Sequence, residues 1–329
     1  MRKLLLGTTA LAAAATLSAN ALADVSISGY YEWKYQSRSS TVAASDGTSM
    51  GVDSEIKFTL SNKTDSGLNI KMAVEMTSDD AETTSIDESS LSIAGGFGRI
   101  VLGSDDNAAD NYAIDAEDVV GEEIQATGTT TLSLTDTDLE TTGDANKFTY
   151  HIPAMGGLKG GISYTDNGTN STTGDQDSIE IGAQYTIDAG GAAITLGGAT
   201  RNTEQVSGTV DKESSNVGVS ITSGNITAKV AQATYEATNA DEEANGVGVK
   251  FKISDAMSLG AYTVKVEDST GTTDEEYTNT GAEVTYAIAS GLTAYFNIAD
   301  YDYKTGAGTG AGTTADSGTV SKLTIKATF

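Results

Sequence analysis

Carboxylates dominate whatever chemistry this chain could perform. Its 329 residues hold 46 Asp and Glu against 19 Lys and Arg, with one histidine and no cysteine. The densest acidic run is Asp105, Asp106, Asp110, Asp115, Glu117, Asp118, Glu122 and Glu123, in the first half of a long polar segment from Ser104 to Ala145. A Ser-His-Asp relay would have only His151 to draw on, and that residue sits beside Pro153 with no nucleophile motif around it. The absence of cysteine removes thiol catalysis, thiolate metal sites, iron–sulfur clusters and disulfides. Gly306 to Gly312 alternates glycine with small residues as a phosphate cradle does, yet no helical pattern follows it to orient N–H donors. Asp136, Asp138 and Glu140 add hard oxygen ligands suited to Ca²⁺ or Mg²⁺, without the spacing of a complete calcium loop. No catalytic residue is expected. A formal charge of −27 also repels phosphate backbones, so nucleic acid is not a partner.

The elements that must position these acids are strands. Arg2 and Lys3, the apolar run from Leu4 to Leu17 and the small-x-small Ala21-Leu22-Ala23 read as a signal peptide over residues 1–23, cut after Ala23. From Asp24 onward one pattern recurs. Val25, Ile27, Gly29, Tyr31, Trp33 and Tyr35 alternate with polar residues at period two, and so do Ile56, Phe58 and Leu60, then Leu68 to Met76. Continued to Phe329, the alternation predicts sixteen strands, the least regular near 99–103 and 147–152. A parity slip within 226–235 suggests a bulge. Seven short turns alternate with eight polar segments, near 37–51, 77–87, 104–145, 166–177, 201–214, 236–244, 267–278 and 304–318. Sixteen up-and-down strands need that number of connections, short on one rim and long on the other. No other segment is apolar for the ~18 residues a membrane helix requires, so a membrane form of this chain has to be a closed β-barrel. Residues 24–329 are expected to make one all-β domain, a 16-stranded antiparallel barrel.

Parity then orients side chains. If Ile56, Phe58 and Leu60 face lipid, Lys57 points inward, and Lys34 and Lys71 do so on neighbouring strands, with Lys57 and Lys71 near mid-height and Lys34 nearer the outer rim. Tyr31, Trp33, Tyr35, Tyr164, Tyr301 and Tyr303 fall toward the loop ends of their strands, as an interfacial aromatic belt would. Pro153 falls in a short turn, where its missing N–H costs no ladder bond.

Three stretches carry a resemblance: Asp24-Val25-Ser26-Ile27-Ser28-Gly29-Tyr30, Gly96-Phe97-Gly98-Arg99-Ile100-Val101-Leu102-Gly103, and Asn146-Lys147-Phe148-Thr149-Tyr150-His151-Ile152-Pro153 with the glycines after it. They are similar to the first strand, the strand entering the constriction loop and the strand leaving it in Gram-negative general porins, most of all the acidic α-proteobacterial type. The C-terminal Leu323, Ile325, Ala327 and Phe329 resemble the signal read by the barrel-assembly machinery, with Ala327 smaller than the usual residue. The resemblance implies an outer-membrane homotrimer for passive diffusion of small hydrophilic solutes and ions. It also implies that the 104–145 loop folds inward and sets its acids against a basic wall. Lys34, Lys57 and Lys71 are a thin version of that wall, so the expected pore prefers cations. Loop carboxylates bridged by Ca²⁺ or Mg²⁺ to lipopolysaccharide form a secondary expectation. The rivals are a substrate-selective channel, which would show an aromatic track or a dense basic funnel, and a secreted acidic β-rich adhesin, which would not need a terminal Phe329.

Overall fold

The computed structural model describes residues 24–78, 84–124, 132–139, 141–166, 175–205, 210–238, 240–270, 275–304 and 315–329. The leader expected over residues 1–23 and the glycine-rich 306–312 lie outside them. Sixteen strands follow one another: β1 (Asp24–Ser40), β2 (Gly47–Lys63), β3 (Asn69–Ser78), β4 (Thr84–Gly95), β5 (Gly98–Ser104), β6 (Asn146–His151), β7 (Leu158–Thr165) and β8 (Asp175–Asp188), then β9 (Ala192–Gln205), β10 (Lys212–Ser223), β11 (Ile226–Ala237), β12 (Ala240–Lys252), β13 (Met257–Asp268), β14 (Glu275–Ala289), β15 (Leu292–Lys304) and β16 (Asp316–Thr328). Each pairs antiparallel with its sequence neighbour, and β1 pairs with β16, so the sheet closes on itself. Closure leaves no edge, which is the condition for placing a sheet in lipid. The seam is finished by the chain end, where the Phe329 N–H donates to the Gly29 carbonyl at 2.9 Å.

Alternation does the sorting. Val25 and Ile27 are 52% and 55% exposed, and Ile56, Phe58 and Leu60 on β2 are likewise exposed, giving an apolar outer surface of a kind a soluble domain does not carry. Leu323, Ile325 and Ala327 share this outward parity on β16. The short turns are tight, with Gly67, Gly156, Gly190 and Gly291 all at positive φ.

Several expectations give way. The polar segments 37–51, 201–214 and 236–244 are largely strand: β1 runs to Ser40 and β2 begins at Gly47, while β11 and β12 are separated only by residues 238 and 239. Pairing continues past the apolar belt in residues whose two faces are both polar, so period-two hydrophobicity cannot mark those ends. No bulge interrupts β11, which keeps register with both neighbours; the slip in its sequence comes from Gln232 and Thr234 facing outward opposite Ala231 and Ala233. Register shifts occur instead between Val74 and Met76, between Asp175 and Ser178 and between Ala287 and Ala289. Tyr301 and Tyr303 do not join an outer belt. They face inward and are 1% and 2% exposed, because Ile298 fixes the parity of β15 and sends Asp300 and Asp302 outward. They join Tyr235, Tyr262, Val264, Val266 and Tyr277 in an apolar cluster inside the barrel, completed by Val119, Ile124, Leu132 and Leu134 of the 105–145 loop. The hydrophobic core of this protein thus lies where the loop meets the inner wall.

Candidate functional site

The loop between β5 and β6 lies along the inner wall, and the wall residues explain why it can. Its backbone and side chains rest over Gly182, Gly197, Gly218, Gly246 and Gly260, inward-facing positions on β8, β9, β10, β12 and β13. A Cβ at Gly218 would stand 2.6 Å from the Ile114 carbonyl, and one at Gly197 would stand 2.7 Å from Ile114 Cγ1. Side-chain-free positions on five strands make a trough into which the loop backbone sinks.

A loop laid in such a trough must satisfy its backbone donors, and wall side chains do this. The Ala108 N–H donates to Ser163 Oγ at 2.7 Å and the Ile114 N–H to Asn216 Oδ1 at 3.1 Å. Three buried wall carboxylates each take two loop donors. Glu180 accepts the Thr142 N–H at 2.8 Å and its hydroxyl at 3.0 Å. Glu242 accepts the Ser133 and Leu134 N–H groups at 2.9 and 2.7 Å. Glu283 accepts the Gly121 and Glu122 N–H groups, both at 2.9 Å. At the loop root Lys147 donates to the carbonyls of Asp105 (2.6 Å) and Gly143, and Ser104 Oγ to that of Asp144. Near the far end Lys322 on β16 pairs with Glu122 at 3.3 Å and donates to the Glu123 carbonyl at 2.9 Å. His151 is 5% exposed and serves this anchoring too: Tyr112 Oη of the loop is 2.8 Å from its Nδ1, and Arg99 Nη2 donates to its Nε2 at 2.8 Å.

The eight loop acids are not equivalent. Asp106 and Asp118 are exposed, Asp118 pairing with Lys229 at 2.7 Å, whereas Glu117 is buried and bonded to the Thr137 N–H and hydroxyl at 2.9 and 2.8 Å. Asp110 accepts from Asn107 at 2.5 Å, and Asp115 from Asn216 at 3.1 Å. Asp105 caps the Asp106 N–H at 3.0 Å. Burial, reinforced by like charges, pushes the carboxyl of Asp110 up to about 7 and those of Asp115 and Glu123 up to about 9, and burial raises Glu117 as well. Eight acids in the sequence therefore do not amount to eight charges at neutral pH. Of the acids read as ligands for a divalent cation, Asp136 gathers with Glu117 and Glu123, with one oxygen of each within 4.8 Å of the others. Asp138 instead caps the Leu139 N–H at 2.8 Å, and Glu140 lies outside the described residues.

Across the lumen, Lys34, Lys57 and Lys71 all have inward parity on β1, β2 and β3. Lys34 bonds Glu32 at 2.9 Å and Asp53 at 3.0 Å, Lys326 bonds Glu32 at 2.5 Å, and Lys57 pairs with Glu75. Lys34, Lys57 and Lys326 are thus all ion-paired, with Glu32, Asp53 and Glu75 as partners, and Lys71 stands outside that lattice. Lys71 is not at mid-height. It is the third residue of β3, next to the short turn, because β3 begins at Asn69. Sequence reasoning missed the wall carboxylates Glu180, Glu242 and Glu283. Their signal was present: Glu180 is followed two residues on by Gly182, and Glu283 is preceded two residues back by Gly281, the same-face spacing of an acceptor beside a gap.

The sequence profile of Gram-negative porins matches residues 7–306. No curated protein matches the chain. Among solved structures, an anion-selective porin from Comamonas acidovorans is similar with a TM-score of 0.67 and 16% identity, over 93% of this chain and 100% of that one. In-vitro folded OmpT, an outer membrane protein of Vibrio cholerae in trimer form, gives 0.66 and 17% over 93% and 99%. A triply substituted Rhodopseudomonas blastica porin gives 0.66 and 16% over 93% and 100%. At such identities these structures share the fold.

Proposed function

This chain belongs to the Gram-negative porin family, and on that premise we propose that its outer-membrane channel passes small hydrophilic solutes and prefers cations. Membership of the porin family supports a channel over the adhesin reading and leaves selectivity as the question. The fold does not decide the sign of that selectivity, since the Comamonas porin of the same architecture is anion-selective. The charge balance at the narrowing is what supports cations. Wall lysines Lys34 and Lys57 are matched by Glu32, Asp53 and Glu75, and Lys71 lies beside the short turn, so no unmatched basic wall opposes the loop acids Asp105 and Asp106. Fixed negative charge in a narrow aqueous path concentrates cations and excludes anions while the Debye length is comparable to the radius, ~10 Å at 0.1 M salt.

In the same reading the chain is made with its leader, cut after Ala23, and assembled through the terminal Leu323, Ile325, Ala327 and Phe329. It works as a homotrimer amid lipopolysaccharide; the trimeric OmpT relative supports that state. The test is the zero-current potential across a bilayer with a KCl gradient at low salt. The dilute side should become positive, and Asp105→Asn with Asp106→Asn should reduce that potential. A negative dilute side overturns the cation preference.

A further inference from the structure

Inward-facing bases stand at two levels of the lumen, and the higher ones, Lys34, Lys57, Lys147 and Lys322, are engaged by carboxylates or loop carbonyls. Lys71, Arg99, Lys159, Lys229, Lys250 and Lys326 have inward parity, and each lies within three residues of the short-turn end of its strand. They come from β3, β5, β7, β11, β12 and β16, and so surround the periplasmic mouth. The acids of the same band, Asp24, Asp65, Asp188 and Asp255, belong to the turns or to a terminal strand residue. The inward carboxylates Glu32, Asp53, Glu55 and Glu75 stand six to ten residues above that end. On β3, which carries a residue of each band, Glu75 stands four residues above Lys71, about 10 Å along the axis at ~3.4 Å per residue and a strand tilt of ~40°. Lys229 pairs with Asp118, Lys326 pairs with Glu32, which it faces across the β1–β16 ladder, and Arg99 is engaged by His151. Among the described residues Lys71, Lys159 and Lys250 have no carboxylate within ion-pair distance, which leaves their charge to the mouth.

We propose that this channel is electrically bipolar, with an acidic band toward the outside and a basic ring at the periplasmic mouth, and that its ionic current therefore depends on direction. The inference rests on the open channel proposed above. With the extracellular side positive, cations enter through the acidic band and anions through the basic ring, and both accumulate where the bands meet, raising conductance. The opposite field withdraws both and depletes that zone. Separate bands require a Debye length no longer than their spacing yet long enough to reach across the pore, a condition met near 0.1 M (~10 Å), whereas at 1 M (~3 Å) the charge no longer reaches across the pore.

The protein is inserted from one side into a planar bilayer in symmetric KCl. Because the chain has no cysteine, Ala154→Cys in an exposed short turn reports orientation through a membrane-impermeant thiol reagent. Currents at equal and opposite voltages should differ roughly twofold at 0.1 M, the larger with the extracellular side positive, and should converge at 1 M, where charge is screened within ~3 Å. Lys159→Gln with Lys250→Gln should bring the 0.1 M ratio toward one while leaving the 1 M conductance unchanged. If that pair fails to insert, Lys71→Gln alone should lower the ratio. A symmetric wild-type response at 0.1 M overturns the bipolar lumen and leaves the channel standing, as does a ratio that these variants do not move. A bilayer that stays silent overturns the channel reading and the inference together.

Discussion

Replacing Glu283 by glutamine tests whether wall carboxylates hold the loop in the lumen. The Glu283 carboxylate is 3% exposed and receives the Gly121 and Glu122 N–H groups at 2.9 Å, Asn297 Nδ2 at 2.8 Å and the Thr285 hydroxyl at 2.6 Å. An amide of the same shape keeps one acceptor oxygen and turns an NH₂ either toward the Gly121 N–H and the Thr285 hydroxyl or toward the Glu122 N–H and Asn297 Nδ2. Bonds to a charged acceptor contribute about 1.5–3 kcal/mol each, and a buried donor left unmet costs about 1–3 kcal/mol. A net loss of about 3 kcal/mol raises the population with this part of the loop unseated by roughly 100-fold. Lys322 remains as a second tether through Glu122 and Glu123, so the barrel should still fold and insert. Single-channel recording at pH 7 should show excess current noise and a higher mean conductance in Glu283→Gln, both restored toward wild type by Glu283→Asp. A quiet channel of unchanged conductance, with native β content by circular dichroism, would refute the claim that this carboxylate positions the loop.

Gly218→Val places branched carbon where a Cβ alone would already stand 2.6 Å from the Ile114 carbonyl, so the loop should lift from the trough and conductance should change while the outer barrel persists; a wild-type current trace would contradict the trough. Acidity should tune the pore through Asp110, Asp115 and Glu123, whose folded values of about 7, 9 and 9 exceed the ordinary carboxylate range. Between pH 6 and 9 these groups lose protons in the native state, so the KCl-gradient potential should grow with pH. Across that range the native state binds more protons than the unfolded chain, so the same ionisation lowers stability, and the melting temperature should fall from pH 6 to pH 9. A potential and melting point that are both flat over this window would show that the three carboxyls do not titrate there.

Much of the barrel was legible because its rules are local. The parity of Val25, Ile27, Ile56 and Phe58 sets which face meets lipid, and Gly-containing turns mark the short rim, so strand number and inward orientation of Lys34 and Lys57 can be read along the chain. What failed, failed where that code goes silent. Strand ends above the belt are polar on both faces, hence the over-long loops at 37–51 and 236–244. Tyr301 and Tyr303 look like belt aromatics until the parity of Ile298 is followed through to the last turn of pairing.

Sequence alone determined that this chain closes into a sixteen-stranded membrane barrel carrying an acidic loop, because alternation and turn chemistry act over a few residues. Tertiary structure alone decided the electrostatics. Whether Asp115 is charged depends on burial against the wall, and whether Lys57 is unmatched depends on Glu75 from the adjoining strand. Desolvation and ion pairing are set by neighbours across the lumen, and no spacing along the chain encodes them.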